Sequence, residues 1–277
     1  MAIKILCDSG CDIPEDVRQA ANIGLVSLSI RFGDDEYTDR VTISTQEFWQ
    51  RCATSPTLPE TAAPSPGAFL AAYEAAAAEG ATGIIVVTIS AALSATYESA
   101  RVAASSFDTI PVFILDSRAV SMAQGLLALE LNERAQAGAT FEELCDYGRT
   151  LPDKVGVVAM LATLEHLIKG GRLGGAKALL GTMLNIKPLL QLKDGLVTEA
   201  GRQRTTSKAL AALVAMAAEH QPLRRVAIVH AASPEVDALT GLVASLAVAT
   251  PLIVADIGPT VGTHGGPGLI GLTWLEA

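Results

Sequence analysis

The sequence predicts an α/β fold in two domains. Residues 1–150 read as a mostly parallel sheet with helices on both faces, and residues 151–277 as a second α/β domain with a mixed sheet. Three observations carry this. Short β-branched runs alternate with helical stretches through the first half, the rhythm of parallel strands joined by crossover helices. That rhythm changes after 151-LPD-153. Beyond it, Asp194-Gly195 stands between two apolar runs, the mark of a tight hairpin and so of antiparallel pairing.

The elements follow in order. Residues 3–7 are a first strand. A helix near 14–21 is begun by Pro14, with Asp12 as its cap. Residues 25–32 read as a second strand, 33-GDDEYTDRVTIS-44 as a polar loop, and Thr45 to Arg51 as a short helix. The segment 54-TSPTLPETAAPSPG-67 holds four prolines and reads as a stiff loop. It ends with Ser65 as N-cap and Pro66 as first helical residue. Helix 66–79, strand 83–89, a helix from about 95 to 106 and strand 110–115 continue the alternation. Then 116-DSRAVSMAQG-125 leads into a long helix to about 137. Strand 154–161 precedes 163-TLEHLIKGGRLGGAKALLG-181. Strands 187–192 and 196–201 flank the hairpin turn. Helix 206–219, strand 225–230, helix 234–247 and strand 251–256 complete the second half, before 258-GPTVGTHGGPGLIGLTWL-275.

Composition excludes several functions. Half of the residues are apolar but only 4% are aromatic, so the core is aliphatic and alanine-rich. A net charge of −9 argues against nucleic acid or an anionic membrane surface as the main partner. No apolar run has the length of a membrane span. The start, MAIKILCDSGCDIP, reads as a strand rather than a signal peptide, and a cytoplasmic protein is expected. The four cysteines, Cys7, Cys11, Cys52 and Cys145, lack the second pair or nearby histidine of a zinc set. Reduced thiols and no metal site are expected.

In an open parallel sheet, ligands sit beyond the carboxyl ends of the strands. Asp8-Ser9, Ser90 with Ser94, and Asp116-Ser117 fall there. Taken singly, each serine reads first as an N-cap or turn residue. Thr61 has no helix to start, so its hydroxyl is open to a ligand. The stretch 86-VVTISAALSATYESA-100 turns from strand to helix through Ser90, Ser94 and Thr96 instead of glycines. A diphosphate there would want a glycine nest and a lysine. A carboxylate needs only two hydroxyls and a helix-start N–H. The glycine motifs of dinucleotide and ATP sites are absent, as is the G-x-S-x-G elbow. The segment 169-KGGRLGGAK-177, with Lys169, Arg172 and Lys177, reads either as an anion loop or as a flexible connection with solvated charges. His264 lies in GTHGGPG, where glycines let ring and backbone approach a ligand. Alternatively it is a turn histidine at a domain edge.

Taken together, these clusters are more specific than any one. Their order is D-S near the start, T-x-x-P-S-P-G, I-S-x-x-L-S-x-T-Y-x-S-A, D-S-x-x-x-S-M-x-x-G, T-L-E-x-L-x-K-G-G-R, L-L-x-x-x-L-N-I-K-P-x-L and a late G-P-G. The pattern closely resembles the DegV family from Ile3 to about Leu272. Members are bacterial fatty-acid-binding proteins, and some are the lipid-carrying subunit of fatty acid kinase. The resemblance implies a long-chain fatty acid lying between two α/β domains, with no cofactor. Its carboxylate would rest on Thr61 and Ser94. Arg172 and His264 would lie near the head group and steady the phosphate added by a separate kinase subunit. Arg202, in 201-GRQR-204, matches the kinase contact, although Arg202 and Arg204 alone read as solvated charges before a helix. The chain departs from the pattern at Ala62, where serine is usual, and at Ala92 and Ala95, where glycine is. The extra methyl groups narrow the head-group end or change which N–H groups reach it. A long acyl chain offers roughly 10 kcal/mol before association costs, at about 0.8 kcal/mol per buried CH₂. The other reading is an enzyme on a small phosphorylated or carboxylated substrate, with His264 as acid–base and 169–177 as anion loop.

Overall fold

The computed structural model describes residues 2–179 and 186–277, without the side chains of 177–179. Leu180, Leu184 and Asn185 of the L-L-x-x-x-L-N-I-K-P-x-L stretch, and the Lys177 side chain, lie outside the described residues.

The first half contains β1 (Ile3–Asp8), α1 (Glu15–Ala20), β2 (Gly24–Val26), β3 (Ser29–Phe32), β4 (Asp35–Thr38), α2 (Thr45–Thr54), β5 (Glu60–Ala62), α3 (Pro66–Ala78), β6 (Gly83–Thr88), α4 (Thr96–Ser105), β7 (Val112–Asp116), α5 (Met122–Gln136) and α6 (Phe141–Thr150). The second contains β8 (Val155–Met160), α7 (Glu165–Lys169), β9 (Lys187–Lys193), β10 (Leu196–Gln203), α8 (Thr206–Ala218), β11 (Leu223–His230), α9 (Val236–Val243), β12 (Ile253–Asp256), α10 (Pro259–Gly265) and β13 (Ile270–Glu276).

The order β2-β1-β6-β7 is a wholly parallel sheet. Successive residues of a strand face opposite ways. Leu6, Ile84 and Val86 therefore meet α3 and α4, while Ile5, Ile85 and Val87 meet α5. Both faces are covered, which is why residues 83–88 are almost unbroken in their apolarity. The second sheet, β10-β9-β8-β13-β11-β12, is mixed, with β11 and β12 parallel and its other pairs antiparallel. Helices α8 and α9 cover one face. The other faces α5, which thus lies between the two sheets and is buried from Met122 through Asn132. Glu130 is the charged residue in that span. It pairs with Arg134 on its own helix and with Arg224 and Arg225 of β11.

Several local expectations are corrected. The 25–32 run is two strands in two sheets. β2 joins the parallel sheet, and β3 joins a separate antiparallel sheet, β4-β3-β5. Between them the Leu28 N–H donates to Ser9 Oγ at 3.0 Å. The polar segment 33–44 is not all loop: Gly33, at φ +60°, and Asp34 close a hairpin onto β4. Its polarity is that of an exposed edge. The proline-rich segment holds β5, so Thr61 is a strand residue opposite Ile30. Prolines flank this edge strand and take no ladder position. Asp12 does not cap α1. It accepts hydrogen bonds from Arg40, Ser121 and the Gly258 N–H. Other elements had no counterpart in the sequence reading, among them α6, which opens with a Thr140–Glu143 capping box, the short helix α10, and β13, which runs through the middle of the second sheet. Among the described residues, no helix is long and apolar enough to cross a membrane.

Candidate functional site

A cavity lies between the sheets. Ile89, Leu93 and Ser94 after β6, Val120 and Ser121 after β7, and Leu28 after β2 form one side. Val157 and Ala159 of β8, Leu190 and Leu192 of β9, Val197 of β10 and Val229 of β11 form the other. Among the described residues the lining is mostly aliphatic and contains no Phe, Tyr or Trp. Thr61, Ser94, Arg172 and His264 all line it. An adjoining cleft shares Thr61, Arg172 and His264 and continues past Pro56–Glu60 and Lys169. The four residues implied as head-group contacts are therefore brought together from β5, the turn before α4, the segment after α7, and α10.

Among the described residues two further hydroxyls line the cavity, but their protons are committed elsewhere. Ser121 Oγ donates to the buried Asp12 at 2.6 Å, and Thr260 Oγ1 to the buried Asp39 at 2.5 Å. Thr61 Oγ1 lies 2.9 Å from His264 Nε2. Burial, then the charges of Arg172 and His166, push the His264 imidazole down to about 4, so it is neutral at physiological pH. Among the described residues its buried Nδ1 has no hydrogen-bond partner, and it sits against Gly170, where a Cβ would collide with it. With the proton on Nε2, His264 donates to Thr61 and leaves the threonine O–H free for an anion. Ser94 Oγ lies 2.8 Å from Thr96 Oγ1 and accepts from the Thr96 N–H at 3.3 Å. Ala95 gives α4 no side-chain cap, and beyond the Thr96 N–H taken by Ser94 the first turn ends in the N–H groups of Tyr97 and Glu98, which face the start of the helix. Arg172 donates to the carbonyls of Leu93 (3.2 Å) and Gly170 (2.5 Å). Among the described residues it meets no carboxylate, so its charge remains available to an anion.

Other sequence candidates hold the frame. Asp8 accepts from the N–H groups of Gly10 and Ile89 and from Gln124, while burial raises its carboxyl to about 6. Asp116 accepts from Ala91 and Arg118 N–H, and Ser117 turns back on Ala119. Ser90 Oγ donates to the Gly195 carbonyl at 2.8 Å, so the β9–β10 hairpin tip rests on the turn after β6. In the 169–177 segment, Gly170 makes room for His264, and Gly174, at φ +52°, packs where a Cβ would be 2.7 Å from the Val197 carbonyl. Lys169 pairs with Glu165 on the surface. Arg202 does not line the cavity: it lies on edge strand β10 and pairs with Glu199 at 2.6 Å. The sequence reading missed Thr260. Its spacing from His264, i and i+4 on one helix, carried the signal, but only once 259–265 is known to be helical.

A family model described as "Uncharacterised protein, DegV family" matches residues 2–277. A DegV domain-containing protein of Clostridium acetobutylicum is 33% identical, covering 98% of this chain and 97% of its own. One of Streptomyces coelicolor is 34% identical, covering 98% and 97%. Among solved structures, a DegV family protein from Thermus thermophilus, described by its fatty acid binding, superposes with a TM-score of 0.91 at 33% identity over 100% of both chains. DegV of Bacillus subtilis, described as a fatty acid binding protein, gives 0.89 at 28% identity over 100% of both.

Proposed function

We propose that this chain, which belongs to the DegV family, is a cytoplasmic carrier that buries a long-chain fatty acid between its two α/β domains, 1–150 and 151–277. One observation carries the reading: an aliphatic cavity between two sheets has Thr61, Ser94, Arg172 and His264 in its lining. Thr61 and Ser94 hold the carboxylate, with α4 N–H groups beside them. Arg172 and His264 flank the head group, the first as fixed charge, the second as the neutral donor that orients Thr61. A buried carboxylate without such partners would be expensive to desolvate. The alkyl tail lies along the strands, where only apolar area is needed.

The carrier performs no chemistry alone. A separate kinase subunit phosphorylates the carboxylate through the cleft past Lys169, and docks with help from Arg202 on β10. The fatty-acid binding of the relatives supports the first part of this reading, and the exposed position of Arg202 is compatible with the second. Organic extraction of purified protein followed by mass spectrometry tests the carrier role: about one fatty acid per chain is expected, and none after exhaustive exchange and reloading would overturn it. Arg202→Ala should keep fatty-acid binding and weaken association with a fatty acid kinase from the same organism, with reduced salt sensitivity. Loss of lipid binding in that variant would remove the docking role.

A further inference from the structure

The sheet wall of the cavity has a floor and an end. Residues of β8, β13 and β11 lie in rows across the second sheet, and alternate rows face the cavity. The row Ala159–Gly271–Val229 is a shallow floor. A Cβ on Gly271 would lie 2.8 Å from the Val158 carbonyl, 3.1 Å from Ala159 Cβ and 3.2 Å from Val229 Cγ2, so this trough depends on small residues. The next row, Val157–Thr273–Ala227, contributes only Val157 to the lining. Thr273 is fully buried, and α5 packs over β13 and β11. One row further, Leu275 is fully buried in the core, and the half-buried Val155 packs against it. The opposite end of the same strands is the polar end. β8 leads through Leu161 to α7 and Gly170, and α10 with His264 leads into β13. From Leu161 to Val157 is about 13 Å of strand.

We propose that Val157 is the end stop of the acyl channel and sets the longest chain that this protein accepts. The inference rests on the fatty-acid reading above and names a determinant of ligand length within it. Val157 is half-buried, at the place where the floor gives way to packed core. Its two methyl groups meet the terminal carbons of the tail, and a change in their volume moves the end of the channel.

The test uses full-length protein carrying Val157→Phe or Val157→Ala. Each is loaded from an equimolar mixture of saturated fatty acids of graded length, and the bound acids are extracted and quantified. The phenylalanine variant should shift the bound set to shorter chains and weaken binding of the longest acid accepted by the wild type about tenfold, the cost of about two unburied methylenes. The alanine variant should shift it to longer chains, and serves where phenylalanine prevents folding. Wild-type protein that takes up no fatty acid would defeat the carrier reading itself. If the wild type loads normally and the alanine variant keeps an unchanged length distribution, Val157 is not the stop.

Discussion

Thr61 and His264 act as a unit, because the ring orients the hydroxyl. The Thr61→Ala and Ser94→Ala variants should each lose about 1–3 kcal/mol of fatty-acid binding, the usual worth of a hydrogen bond to a charged group. Titration with palmitate or oleate measures this, and unchanged affinity in both would remove them from the head-group site. His264 also has a signature in stability. Its folded pKa of about 4 lies below the ordinary 6.5, so the folded state favours the neutral ring. Stability from this group is present above about pH 6.5 and lost as pH falls toward 4, by up to about 3 kcal/mol. Asp8 and Asp12, both raised to about 6 by burial, act oppositely: their folded forms gain relative stability as pH falls through that value. The contribution of His264 is therefore read from a difference. Urea unfolding at pH 7.5 and 4.5 should show a smaller acid loss for His264→Asn than for wild type. Equal losses would mean that the ring is not held neutral.

Among the elements, α5 departs furthest from an ordinary amphipathic helix. It has no solvent face along most of its length because it is packed by a sheet on each side. Burial alone would raise the Glu130 carboxyl, but Arg225, Arg224 and Arg134 hold it below the ordinary carboxylate range. Glu130→Ala would leave the mostly buried Arg225 short of a partner, and should cost about 3 kcal/mol in chemical unfolding. A loss within about 0.5 kcal/mol, as for an ordinary surface substitution, would show that this ion cluster does not couple helix and sheet. The β9–β10 hairpin makes another contact between halves. Gly195 is at φ +77°, and a Cβ there would lie 2.5 Å from Ser90 Oγ. Its sequence signal, Asp-Gly, gave the turn but not the surface on which the turn rests.

For the molecule as a whole, a ligand buried between the sheets should couple binding to global stability. Saturation at 100 times the dissociation constant adds about 2.7 kcal/mol by mass action. Delipidated protein should melt measurably higher when fatty acid is restored, as followed by circular dichroism. An unchanged melting temperature would argue against an enclosed tail. The halves approach through one continuous core, since Ile5, Leu126 and Val229 belong to a single buried cluster. The cavity, α5 and the hairpin thus occupy one interface.

The sequence by itself determined the parallel sheet, the hairpin and the aliphatic interior. These follow from local periodicity, turn chemistry and composition, which neighbouring residues fix. The family resemblance singles out Thr61, Ser94, Arg172 and His264 together, and the structure brings all four to one cavity. Tertiary structure alone decided that the 25–32 run divides between sheets and that Thr61 is a strand residue facing His264. It also decided that β13 occupies the centre of the second sheet, and that Ser121 and Thr260 give their protons to buried aspartates while Thr61 does not. Each depends on partners far away in the chain, up to 221 residues for Thr260 and Asp39. Such pairings come from packing between sheets, for which a local pattern carries no signal.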